Sequence, residues 1–192
     1  MITEGFLKLK TMLSCCDKTV VLVGLMGSGK SAIGRRLAAR LEWPFIDTDT
    51  EIEVAAGCSI DDFFNRYGEE AFREGERKVI ARLLEKDKRI LSTGGGAFMD
   101  PETRKLIKVR GISIWLRAEL DILVRRTARR DNRPLLKRGD PRRILADLME
   151  QRYPTYAEAD IIVDTDDDPP EVTTDHVIAS LDNFLCHQSK KG

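Results

Sequence analysis

Five short apolar runs punctuate the chain, and between them apolar residues recur at three- and four-residue spacing. The first run leads into VLVGLMGSGKSAIG; the others are PFID at 44–47, RILS at 89–92, ISIWL at 112–116 and DIIVD at 160–164. Runs this short, bounded by turn residues, predict buried strands. The helical spacing covers 31–42, 71–86, 101–108, 119–130, 141–152 and 171–186, and Pro101 and Pro141 stand where helices begin. Strands alternating with helices predict a parallel sheet covered on both faces, with ligands gathered at the carboxyl ends of the strands.

Residues that carry chemistry do follow the strands. Gly24 to Ser31 fits G-x-x-x-x-G-K-[ST], in which Gly24, Gly27 and Gly29 let the backbone curl so that successive N–H groups face phosphate oxygens. The helix starting near Lys30 adds its positive N-terminal end, Lys30 supplies an ammonium for β- and γ-phosphates, and the Ser31 hydroxyl is a ligand for Mg²⁺. A glycine-rich turn that merely joins strand to helix is the plain alternative.

The second strand runs into Asp47-Thr-Asp49. In extended geometry the two carboxylates project from one side, one to support Mg²⁺ through its water shell and one to face an acceptor hydroxyl. The plain alternative is that both cap the next helix. After RILS comes Ser92-Thr-Gly94-Gly95-Gly96, where a motor or switch ATPase would carry a carboxylate; the glycines suggest either close approach to an acceptor or a turn needing positive φ. Arg73, Arg133 and Arg152 stand near loop signals, and a guanidinium fork grips a carboxylate, although each alone reads as a surface arginine.

Composition narrows the rest. A chain of 192 residues with 42% hydrophobic content suits one buried domain. Basic and acidic residues both number 32, which gives no overall reason to expect nucleic acid or a membrane surface as partner. Charge is asymmetric locally: 125–143 holds nine Lys or Arg against two Asp, and 157–175 holds eight acids and no base. Cys15, Cys16, Cys58 and Cys186 form no CxxC pair, so no disulfide framework or structural metal is indicated, which suits a reducing cytosol. Residues 1–18 read as a short appendage without signal-peptide character, and no apolar run is long enough to span a bilayer.

Taken together, GLMGSGKSAIGRRLA, FIDTDTEIE, FREGE, LSTGGGAF, RPLL and the late R-x-P-x-Y resemble shikimate kinase, in this order and at these separations, over roughly residues 19–185. The resemblance implies a three-layer α/β/α sandwich of the P-loop NTPase type, with a five-stranded parallel sheet as in nucleoside-monophosphate kinases. It implies one kinase domain over 19–187, with an acceptor-binding helical region at 48–75, a lid at 128–140 and a tail at 188–192. The implied reaction moves the γ-phosphate of ATP to the 3-hydroxyl of shikimate, with Mg²⁺ as cofactor, in a cytoplasmic monomer with small-molecule partners only.

By position, the resemblance makes Asp49 the base and a contact for the acceptor hydroxyls, and Asp47 the Mg²⁺ carboxylate acting through water. Arg73 and Arg152 hold the shikimate carboxylate, Glu76 orients Arg73, and Gly94, Gly95 and Gly96 wall the acceptor pocket. ATP falls to Gly27, Ser28, Gly29, Lys30, Ser31 and Ala32, with Arg126 and Pro170 about the adenine. Arg133 is the lid arginine over the transferring phosphate, and Lys30 joins Asp49 and Arg133 as catalytic. Ala32 stands where the family usually has Thr, while Cys58 and Trp43 read as packing residues. Two rivals stay open from the residues alone: the same fold with gluconate or a nucleoside monophosphate as acceptor, and a nucleotide-binding regulatory module without catalysis.

Overall fold

The computed structural model describes residues 11, 13, 16–128 and 139–188. Among them five strands form one parallel sheet: β1 (Thr19–Val23), β2 (Phe45–Asp47), β3 (Ile90–Ser92), β4 (Gly111–Arg117) and β5 (Ile161–Asp164), in the order β2-β3-β1-β4-β5. The helices are α1 (Lys30–Leu41), α2 (Thr48–Ala56), α3 (Ile60–Leu84), α4 (Pro101–Arg110), α5 (Leu120–Ala128), α6 (Pro141–Tyr156) and α7 (Pro170–Gln188), with one 3₁₀ turn at Ala97–Met99. The three-layer α/β/α architecture is the one expected. No helix among the described residues is long and apolar enough to cross a membrane.

The alternation of side chains along β1 divides the core in two. Val20 and Leu22 pack with Ile33 and Leu37 of α1 and Val177 and Leu181 of α7. Val21 and Val23 pack on the other face with Ile80 and Leu83 of α3, Ile107 of α4 and Leu145 of α6. Leu13, N-terminal to the expected domain boundary at residue 19, is buried in the first of these clusters. Burial on both faces is why β1, β3 and β4 read as continuous apolar runs, whereas Ile162 of the edge strand β5 is exposed.

Helix starts follow their caps. Asp47 accepts from Asp49 N, Ser59 from Asp62 N, Asp100 from Thr103 N and Asp140 from Arg142 N, and proline follows Asp100 and Asp140. The periodicity reading begins the third helix at residue 71, but α3 begins at Ile60. Gly68 interrupts it at φ 80° and ψ 178°, a conformation essentially reserved for glycine, which breaks the apolar phase between the two halves. Helix α2 has no counterpart in that periodicity reading: only Thr48 and Ile52 are buried, too few to mark a face. Helix α2 and the first part of α3 lie in the 48–75 region for which the resemblance implies helices.

One close contact fixes the site. On α1, a Cβ at Gly34 would stand 2.6 Å from Phe45 Cε2 and 3.1 Å from Leu22 Cδ1, so the helix lies hard against β1 and β2. That holds the N-terminus of α1 at the mouth of the glycine-rich loop.

Candidate active site

The loop between β1 and α1 carries Gly24, Gly27 and Gly29 at φ 138°, 86° and 96°, where a side chain would be strained. Lys30 is buried and its Nζ donates to the carbonyls of Gly24 (2.8 Å) and Leu25 (2.9 Å), which folds the ammonium back over the loop. Ser28 is buried, and its Oγ has no hydrogen-bond partner among the described residues. Such an orphan asks for an explanation, and a bound anion's oxygen is one that this loop favours.

The two carboxylates after β2 do not share one extended face. The strand ends at Asp47 and α2 begins at Thr48, so the backbone turns between them. Asp47 Oδ2 accepts from Ser31 Oγ at 2.7 Å while Oδ1 caps α2 through Asp49 N at 3.2 Å. Capping and a phosphate-side role therefore coexist in Asp47. Asp49 turns the other way, toward Gly94, where a Cβ would meet Asp49 Oδ1 at 2.7 Å and Glu76 Oε1 at 3.0 Å.

None of Gly94, Gly95 and Gly96 has positive φ, so no turn conformation requires them; the protein's own side chains crowd a Cβ at Gly94 and Gly96, while one at Gly95 would find only ordinary contacts. A Cβ on Gly96 would overlap the Arg73 guanidinium, and Arg152 Nη1 donates to Gly95 O at 2.9 Å. Thr48, the middle residue of the Asp-Thr-Asp triplet, accepts from Gly94 N at 3.2 Å and anchors this wall to α2.

Arg73 is held by Glu76 at 2.6 Å and by Glu69 at 3.3 Å, and its guanidinium lies over the Phe72 ring at 5.2 Å. Burial works against its charge, but the Glu76 pair and then Glu69 outweigh it and hold the guanidinium above its ordinary pKa. Glu76 is itself buried, and burial lifts its carboxyl above the ordinary value of 4.5 despite Arg73, with like charge from Asp49 and Asp100 adding to the lift.

On the far side of β1, Arg126 of α5 donates to Gly27 O (3.4 Å), to Thr165 Oγ1 (3.3 Å) and to the carbonyl of Asp166. Burial lowers its pKa, against the pull of Asp167 and Asp166. Arg125 pairs with Asp167 beside it. Pro170 begins α7 and faces the same cavity as Arg126. Arg133 and the central part of the expected lid lie outside the described residues.

A cavity of about 560 Å³ unites most of these groups: Gly27, Gly29, Lys30, Ser31, Ala32, Asp47, Asp49, Gly94, Gly95, Arg126 and Pro170 all line it. Arg73, Arg152, Gly96 and Ser28 are outside its lining. Arg152 touches the lining residue Gly95, and Arg73 packs on Gly96 beside it. Ser92, read from sequence only as a missing carboxylate, also lines the cavity and stands 3.2 Å from Ser31 Oγ. Residues the sequence reading passed over are Thr48, Arg125 and Tyr156; for Thr48 and Tyr156 the signal was their place inside motifs whose charged members drew attention. A phosphate cradle, a carboxylate at its edge and two guanidinium groups behind a bare wall suit phosphoryl transfer to a hydroxylated, anionic acceptor.

Comparison with known proteins follows the same line. A family model described as shikimate kinase matches residues 26–182. A shikimate kinase of Paramagnetospirillum magneticum is 61% identical over 168 residues, covering 88% of this chain and 86% of its own. The solved shikimate kinase from Acinetobacter baumannii in complex with shikimate superposes with a TM-score of 0.80 at 36% identity, covering 84% of this chain and 90% of its own. A gluconokinase from Sinorhizobium meliloti shares the fold at a TM-score of 0.61 and 18% identity, covering 92% and 98%.

Proposed function

The chain belongs to the shikimate kinase family, and from that premise we propose how its residues divide the transfer of the γ-phosphate of ATP to the 3-hydroxyl of shikimate. The observation that carries the reading is the meeting of Asp49, Arg73 and Arg152 on the three glycines beside Lys30. Lys30 and the loop N–H groups hold the phosphates, and Asp49 takes the proton from the attacking hydroxyl. Arg73 and Arg152 grip the acceptor's carboxylate, which sets the hydroxyl in line. Gly94, Gly95 and Gly96 let the acceptor ring lie against backbone. Arg126 and Pro170 flank the adenine, with Gly27, Ser28, Gly29, Ser31 and Ala32 along the phosphates, and Arg133 belongs to the lid. We read the enzyme as a cytoplasmic monomer.

The donor set suits Mg²⁺. Ser31 Oγ, Asp47 and Ser92 Oγ are hard oxygens, and Ser31 Oγ stands within hydrogen-bond distance of each of the other two. Ser31 would hold the ion directly and Asp47 through water; when bound, the ion supplies positive charge against the β- and γ-phosphates. Asp47→Asn keeps the cap of α2, because asparagine caps as well as aspartate. It is expected to raise the Mg²⁺ concentration for half-maximal rate by about 10-fold or more while shikimate KM stays put. A Mg²⁺ titration of the variant checks this.

The raised pKa of Glu76 has two opposite consequences. For folding, a raised value favours the protonated form, so its contribution to stability is full below 4.5 and is lost as pH rises through the folded value. For binding, the ionised form is the one that holds Arg73. Shikimate kcat/KM is therefore expected to fall as pH drops through a value above 4.5. Glu76→Gln, unable to ionise, should flatten that limb in a pH profile of kcat/KM.

The reading as a whole is tested by ADP release from Mg·ATP with shikimate, with gluconate and with neither, followed by identification of the product. Shikimate-dependent release with a phosphorylated product is expected. A preference for gluconate, or ATP binding without acceptor-dependent turnover, would overturn it.

A further inference from the structure

Tyr156 ends α6 one helical turn after Arg152 and is fully buried. Its hydroxyl donates to the carbonyl of Gly95, and the same carbonyl accepts the 2.9 Å bond from Arg152 Nη1. A carbonyl oxygen has two lone pairs, so both bonds form together. Stacking fixes the ring: its centroid lies 6.3 Å from Phe98 and 5.8 Å from Trp115. Burial, resisted by the charge of Arg152 and by its hydrogen bond to the phenol oxygen, pushes the phenol up to about 12, so it remains a donor across the physiological range.

We propose that Tyr156 is a positioning residue for the acceptor's carboxylate, acting through the Gly95 carbonyl and Arg152. The proposal rests on the reading in which Arg152 grips that carboxylate. Without an anion, Arg152 is engaged on Gly95. Turning its donors toward an incoming carboxylate weakens that engagement, and a partly buried carbonyl left without a donor opposes the turn. Tyr156 removes the opposition because its bond to Gly95 persists. It also holds the Gly95 carbonyl in place, and with it the peptide of the wall on which the acceptor lies. Two residues one turn apart on a single helix thus share one acceptor, one of them charged and the other neutral.

Tyr156→Phe deletes the hydroxyl and keeps the ring in its stack. The measurement is steady-state kinetics of wild type and variant with shikimate and ATP varied in turn, with thermal unfolding alongside. Shikimate KM is expected to rise about 5- to 10-fold, with ATP KM and kcat within about twofold of wild type. A variant with lowered Tm and unchanged shikimate KM, or with both KM values raised alike, overturns the proposal. The wild-type control separates the levels: no shikimate-dependent turnover there overturns both this role and the reading beneath it. Turnover in wild type with an unmoved KM in the variant overturns the role of Tyr156 alone.

Discussion

Asp49→Asn is expected to lower kcat with shikimate by about 10²- to 10⁴-fold, the range that a positioned general base supplies, with ATP KM within about twofold. The amide matches the carboxylate in size, so the approach to Gly94 and the start of α2 stay intact. What disappears is the capacity to accept a proton as the hydroxyl attacks. The like charge on Glu76 also disappears, which draws its carboxyl back toward the ordinary value and leaves the pair with Arg73 at least as well formed. A loss in kcat is then not explained by a disturbed carboxylate grip. Rapid-quench measurement of a single turnover reads the chemical step directly, and an unchanged rate there would remove Asp49 from the base role.

Arg73→Lys is expected to raise shikimate KM by about 30-fold or more, the consequence of losing one arm of a partly buried carboxylate grip. Lysine keeps the positive charge, so the variant isolates geometry. The guanidinium is planar, already engaged at Nη1 by Glu76 and at Nη2 by Glu69, and its atoms fill the place of a Gly96 side chain. An ammonium can satisfy Glu76 or the acceptor as a point charge, but it lacks the second parallel donor and the flat face. ATP KM serves as the internal control. Equal weakening of both substrates would mean that Arg73 supports the fold of the site and does not read the acceptor.

Much of this was legible in the chain because strand ends and chemistry coincide. The apolar runs of β1, β2 and β3 stop at Gly24, Asp47 and Ser92, and functional residues resume there. The parts that escaped did so for physical reasons. Helix α2 buries only two side chains, so its periodicity is nearly silent, and Gly68 throws the two halves of α3 out of phase. Extended geometry carried on to Asp49 overshoots the strand by two residues; the cap formed by Asp47 turns the chain instead. The glycine wall left two explanations standing; its backbone removes the positive-φ turn, and the packing of Asp49 and Arg73 against Gly94 and Gly96 is a crowding that no local pattern announces. Tyr156 carries no charge, and a tyrosine at helical spacing reads as core, which it also is.

The strand order has one more consequence. Asp49, Arg73 and the glycines belong to the β2 and β3 side of β1, and Arg126 and Pro170 to the β4 and β5 side. Arg152 breaks the partition: its helix lies in the crossover between β4 and β5, yet it reaches Gly95. A carboxylate held by Arg73 and Arg152 together, as proposed, would therefore be a temporary crosslink between two crossover connections that the chain itself joins through β3, α4 and β4. In mechanical terms the acceptor is a staple, and pulling the two halves of the sheet apart should be harder while it is in place.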